Sequence, residues 1–490
     1  MREVILVVDI GTSSMRLAAL DLTGEFLWTN RRSYKPDYLA ENRVEQDPET
    51  WLNSLDELML QFSAESHLLD KVAALSITSQ RSSVIAIDKE GKALRPALMW
   101  QDRRHDTICQ RLAASNEQLH DIAGSRVNTA YSGPKMAWIK ENEPEVYQRA
   151  FKFVTPFEFI AYRLTGQLKI DYSYASRSLL FDLKKYIWSE VLLKKLGIDR
   201  EKLSDLVAPG SVIGDILAPW LERWDLNHSI PLISAGGDQQ CSALGLGVIN
   251  ESTYSLTAGT GGYVMGVSEH FPKNAEGMIV NVSAMEEHYS LESTMLTCSS
   301  AFDYMCSLFF ASQDLRAIDD RLGKALQVGK LDNLLLIPHF QGSGTPDWQV
   351  NSKARLSGLE LGTSPEDIVL ACLKGIACEF KCHVELMADA VGKMPEQILL
   401  AGGLVNSPVF TKLLSGLIDS RLKHVVKYES GLYGAWIAAF AELTGKSYED
   451  AFNIIKGKMT INEVGQPVDR SDYDRLYVRY CDFKAATLEF

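Results

Sequence analysis

Val4-Ile-Leu-Val-Val-Asp9-Ile-Gly11-Thr12-Ser13-Ser14-Met-Arg16-Leu-Ala-Ala-Leu20 opens the chain and decides how the rest is read. Val4–Val8 is apolar without alternation, the pattern of a strand buried on both faces. Asp9-Ile-Gly-Thr-Ser-Ser reads as a polar turn. Leu17–Leu20 resumes the apolar run, Thr23-Gly24 turns again, and Glu25–Trp28 supplies a third strand. Such a turn can be a plain hairpin. It also has the chemistry of an anion site: Gly11 lets a ligand approach the backbone, and Thr12 and Ser13 offer hydroxyls and N–H groups beside Arg16. Asp9, at the strand end, is the kind of hard oxygen ligand that Mg²⁺ prefers.

Working outward, Asp47-Pro48 starts a helix whose Trp51, Leu52, Leu55, Leu58, Met59 and Phe62 share one face. Val72–Thr78 is the next strand and ends in Ser79-Gln80-Arg81-Ser82. The second half repeats this grammar. Thr253–Thr257 runs into Ala258-Gly259-Thr260-Gly261-Gly262, and Tyr263–Val267 returns. Ser364-Pro365 opens a long helix, and Ile398–Leu400 ends in Ala401-Gly402-Gly403. The layout predicts an α/β protein of two similar lobes, residues 1–245 and 246–490. Each lobe is expected to have a mixed sheet flanked by helices, with a cleft between the two. Ligands of such sheets bind at the carboxyl ends of strands. Asp9, Gln80, Asp238, Thr260 and Gly402 all follow apparent strands and should converge there.

Gly236-Gly237-Asp238-Gln239-Gln240 places a lone carboxylate after small residues, where it suits a general base or a helix cap. Gly259-Thr260-Gly261-Gly262 matches the first turn in chemistry but lacks the third glycine of a dinucleotide fingerprint. Gly402-Gly403, with Asn406 and Ser407 before a helix from Pro408, can admit a flat base or a phosphate. Gly445-Lys446-Ser447 imitates the end of a P-loop, but Phe440 stands where its leading glycine belongs.

The 50 Lys and Arg against 63 Asp and Glu give a net charge of -13, which argues against nucleic-acid and anionic-membrane partners. Val4–Val8 is too short for a secretory core and Leu432–Ala441 too short for a membrane span, so a cytoplasmic location is expected. Cys378, Cys382 and His383 fall on a helical pattern with no second ligand pair, which reads as core and not as a zinc site.

In this order and spacing, the turns resemble the FGGY family of sugar and polyol kinases. The resemblance rests on Asp9-Ile-Gly-Thr-Ser-Ser14, Val44–Trp51, Ile77–Arg81, Trp100–Arg104, Lys135–Ile139, Gly237–Gln240, Gly259–Gly261, Gly358-Leu359 and Gly402-Gly403, across about residues 3 to 445. It implies an actin-like (ribonuclease H-like) two-lobed fold and transfer of the ATP γ-phosphoryl group to a sugar hydroxyl. By the same resemblance, Asp238 is the catalytic base, and Gly11, Thr12, Ser13, Arg16, Gly259, Thr260 and Gly261 line the phosphates. Gly402, Gly403, Asn406 and Ser407 line adenosine, Asp9 and Asp238 lie near Mg²⁺, and Gln80, Arg81, Ser82, Ala130 and Gln239 contact the substrate. The base and the sugar are assigned to the first lobe and ATP to the second; a homodimer is a candidate assembly.

Ser82 and Ala130 depart from the glycerol kinase pattern, which has Glu and Tyr there. The loss of a carboxylate and a ring disfavours glycerol and favours a ketopentose such as xylulose or ribulose, or a related polyol, with a gluconate-type sugar acid as the alternative. Loops 171–177 and 342–347 are candidates for setting that choice. An actin-like ATPase or a silent sugar-binding regulator are the readings from other classes.

Overall fold

In the computed structural model, which describes residues 3–310, 314–328, 331, 333–349 and 351–488, the opening apolar run forms Val4–Ile10 (β1) and returns antiparallel as Ser14–Asp21 (β2). The turn is shorter than the sequence suggests. Asp9 lies within β1, opposite Arg16 of β2. Phe26–Ser33 (β3) follows. The helix Glu49–Glu65 (α1) begins one residue later than predicted, and Asp47 Oδ1 accepts its first N–H. Val72–Ser79 (β4) then pairs parallel to β1. Far along the chain, Val212–Asp215 (β5) and Pro231–Gly237 (β6) complete a six-stranded sheet in the order β5-β6-β4-β1-β2-β3. The helix Asp238–Gly245 (α2) leaves directly from β6.

The second half builds Thr253–Ala258 (β7), Gly262–Ser268 (β8), Ile279–Val282 (β9), Tyr289–Met295 (β10) and the helix Ser299–Phe309 (α3). The long helix Pro365–Val391 (α4) starts in a Ser364/Asp367 capping box and stops at Gly392, whose φ of 87° is the left-handed stop of a helix. Gln397–Ala401 (β11), Pro408–Leu417 (α5), Arg421–Lys427 (β12), Ser430–Thr444 (α6) and Thr460–Glu463 (β13) follow. The second sheet runs β9-β10-β8-β7-β11-β12-β13. Its strands β10-β8-β7-β11-β12-β13 carry the same sequence of antiparallel and parallel pairings as β3-β2-β1-β4-β6-β5. Cys378 and His383 are buried on α4, and His383 Nε2 bonds the Thr345 carbonyl, as a core histidine does.

Alternation along β1 explains its continuous apolar run. Val4, Leu6 and Val8 join one core; Ile5 and Val7 face another. That second core combines Ala18, Leu20, Ala74, Ile233 and Ala235 of the first sheet with Leu432, Ala435, Trp436 and Phe440 of α6. The strands divide between the sheets near residue 245, but α6 lies on the first sheet. It crosses α2 at glycines. A methyl group on Gly434 would run into the Cys241 carbonyl, and one on Gly245 into that of Ser430. The two helices follow equivalent strands, β6 and β12, so the internal repeat brings them together. Among the described residues no helix is long and apolar enough to cross a membrane.

Candidate active site

Asp9 stands near the end of β1, where burial and the facing Asp238 raise its pKa to about 6, only partly offset by Arg16. Arg16 itself pairs with Glu429, the residue before α6. Arg16 and Glu429 act on Asp9 from one side and Asp238, itself paired with Arg81, from the other. Among the described residues no three acidic, His or Cys side chains converge as a metal cage, so Asp9 would be a single carboxylate ligand. The Gly11 carbonyl accepts from Gln80 Nε2 at 3.2 Å and from the Tyr34 hydroxyl at 2.8 Å. Thr12 Oγ1 accepts from Trp100 Nε1 at 3.0 Å. Ser13 supplies the carbonyl that accepts the Tyr34 N–H.

Asp238 is the first residue of α2, not its cap. Its Oδ1 accepts the Gln239 N–H at 2.8 Å and lies 3.2 Å from Arg81 Nε. Oδ2 has no partner among the described residues, and 32% of the side chain is exposed. Burial of the carboxyl raises its pKa, with Arg81 opposing. Gly237 is required beside it, because a Cβ there would sit 2.5 Å from Arg81 Cδ. Gln239 is exposed at the same edge.

Arg81 NH1 reaches Gln240 Oε1 at 3.1 Å and Glu292 Oε1 at 2.8 Å. Glu292 comes from β10 in the second half. Residues 171–177, expected as a loop, form the short helix Tyr172–Ala175 and the 3-10 turn Ser176–Ser178, and Arg177 in that turn stacks over Tyr131 at 4.6 Å and donates to its hydroxyl at 3.2 Å. Ser82, buried at φ 70°, donates to the Arg177 carbonyl. The Ala130 carbonyl accepts from Lys135 Nζ at 2.8 Å, as Thr129 and Tyr131 also do.

On the second sheet, the turn 259–261 is tied to the start of α3. Cys298 N–H donates to the Thr260 carbonyl and Ser299 N–H to that of Gly259. Thr260 is exposed, and a Cβ on Gly261 would meet the Met295 carbonyl at 3.0 Å. Gly402, at φ 98°, packs on the Ala258 backbone with no room for a Cβ, which joins the two glycine turns. Gly403 has open space around it, and Asn406 is exposed with Nδ2 on the Gly403 carbonyl. Ser407 is committed elsewhere: its hydroxyl caps α5 and bonds Asp319.

The motifs therefore form two linked groups. Asp9, Arg16, Gln80, Arg81 and Asp238 belong to the first. The turns at 259–261 and 402–403 form the second; β10 reaches both, with Glu292 on Arg81 of the first and Met295 against Gly261 and Gly262 of the second. Sequence reasoning missed Glu292, Asn281, Tyr131 and Arg177 as individuals. The signal for Glu292 and Asn281 was there: Glu292 is the one charged residue of its strand and Asn281 the one polar residue of its own, and both are buried.

The model of the FGGY family of carbohydrate kinases, N-terminal domain, matches residues 4–245, and that of its C-terminal domain matches residues 254–443. A xylulose kinase of Lactococcus lactis is 26% identical, over 96% of this chain and 95% of its own. A glycerol kinase of Halalkalibacterium halodurans is 27% identical, over 92% and 93%. A crystal structure of a xyloylose kinase from Brucella ovis superposes with a TM-score of 0.91 at 21% identity, covering 99% of both chains.

Proposed function

Because the chain belongs to the FGGY family of carbohydrate kinases, phosphotransferases with an alcohol group as acceptor, we propose that it transfers the γ-phosphoryl group of ATP to a hydroxyl of a neutral ketopentose, with xylulose the first candidate. The observation that carries this reading is the state of Asp238. One carboxylate oxygen is fixed by Arg81 and Gln239, and the other is left open. An oriented carboxylate with a free oxygen can accept the proton of a sugar hydroxyl as that hydroxyl attacks phosphorus, a contribution of about 10²–10⁴-fold. Phosphoryl transfer otherwise asks for positioning and charge neutralisation. The first half would hold the sugar through Gln80, Arg81, Gln239 and the surroundings of Ser82 and Ala130. The turns at 11–13, 259–261 and 402–403 would hold ATP through backbone N–H groups and hydroxyls, with Asn406 at the adenosine end. Asp9 would hold Mg²⁺, which when bound neutralises charge on the phosphates, while the open oxygen of Asp238 is kept for the proton.

Charge balance favours a neutral sugar over a sugar acid. The buried Arg81 is already matched by Asp238 and Glu292, and Arg177 faces the same two carboxylates. No surplus positive charge is left for a substrate carboxylate. The xylulose kinase relative supports the ketopentose; Ser82 and Ala130 speak against glycerol. An ADP-release screen over ketopentoses, aldonic acids and polyols tests the substrate. Asp238→Asn tests the base: sugar-dependent turnover should fall at least about 100-fold while ATP binding persists. Retained turnover would remove Asp238 from the chemistry.

A further inference from the structure

One buried ion pair joins the two halves beside Asp238. Arg81 and Glu292 are 10% and 9% exposed and meet at 2.8 Å. Asn281 of β9 donates Nδ2 to the same Glu292 oxygen at 2.9 Å. Burial alone would push the Glu292 pKa up; Arg81 and Arg177 outweigh it and hold the group ionised. A buried pair adds little net stability, because desolvation offsets the Coulombic gain. Its value here lies in direction. The Arg81 guanidinium is held by Asp238 on Nε and by Gln240 and Glu292 on NH1. Only Glu292 carries a charge that opposes the pull of Asp238. An arginine released from Glu292 can turn its fork onto both oxygens of Asp238, the geometry that guanidinium–carboxylate pairs prefer. That would cover Oδ2, the oxygen left without a partner.

We propose that Glu292 is a positioning residue for phosphoryl transfer: it holds the Arg81 fork off the second oxygen of Asp238. It also ties the base to the phosphate side. Glu292 lies on the strand whose Met295 pairs with Gly262, next to the turn 259–261. The inference rests on the reading of Asp238 as the base.

The test is a double-variant cycle on the full chain, with Arg81→Gln, Glu292→Gln and the pair, assayed for sugar-dependent ADP release. Glu292→Gln should lower kcat by about tenfold or more with the KM for ATP within about twofold, and Glu292→Asp should recover most of the loss. Once Arg81 is replaced, Glu292→Gln should cost nothing further, because the effect runs through Arg81. If the two losses multiply, or if Glu292→Gln alone leaves kcat within about twofold of the parent, the inference is overturned. Should Glu292→Gln fail to fold in a thermal melt, Glu292→Ala paired with Arg81→Gln carries the same cycle. Asp238→Asn separates the two readings. If it keeps turnover, the base assignment falls and this inference with it; if it is inactive while the losses multiply, only the inference falls.

Discussion

Asp9 sits on a strand whose neighbours are apolar, and its carboxyl titrates at about 6 because burial and Asp238 both penalise its charge. The sign follows directly. A folded pKa above the ordinary value means that the group is protonated below about pH 6, and a protonated carboxyl is a poor ligand for Mg²⁺. The affinity for Mg·ATP should therefore fall as pH drops below about 6, and Asp9→Asn should weaken binding at pH 7 and flatten that dependence; calorimetric titration from pH 5 to 7 checks both. Gly237→Ala should displace the Arg81 stem and lower kcat by about tenfold or more with little loss of ATP binding, measured by the same ADP assay. Both residues were visible in the sequence as members of strand-end motifs. Their partners were not: Arg16 opposite Asp9 follows from strand register, and Arg81 against Gly237 from a crossover that brings β6 beside β4.

At the scale of elements, α2 and α6 cross so closely that their backbones touch at Gly245 and Gly434. Gly434→Ala should destabilise the protein by about 3 kcal/mol or more, since the added methyl meets a carbonyl and not a side chain that could turn away. Chemical denaturation measures this, and a loss under about 1 kcal/mol would contradict the packing. The sequence showed α6 as an apolar stretch and, at α2, only a carboxylate that suits a base or a helix cap. It gave no sign that they meet. The strand–turn–strand and helix–strand repeats were legible because period and punctuation are local. The shared order of pairings in the two sheets was only partly so, because β5 precedes its neighbour β6 in the chain whereas β13 follows β12.

For the whole molecule, the core beneath α6 draws on both halves: Ile5, Val7 and Ile233 from one, Trp436, Ile437 and Phe440 from the other. The chain should melt in one cooperative transition, and a fragment 1–245 should aggregate with the apolar face of its sheet uncovered; scanning calorimetry and expression of the fragment check this. A soluble, folded 1–245 would show that the first half covers that face by itself. The sequence by itself determined the fold class, the family and the strand-end turns proposed to carry the chemistry, because these rest on local patterns of burial, glycine and charge. Only the tertiary structure decided that Glu292 stands against Arg81, 211 residues away in the chain, that Ser407 is spent on a helix cap, and that α6 completes the first sheet. Those facts depend on which distant segments are packed together, and a linear pattern records the face a residue must bury without recording what it is buried against.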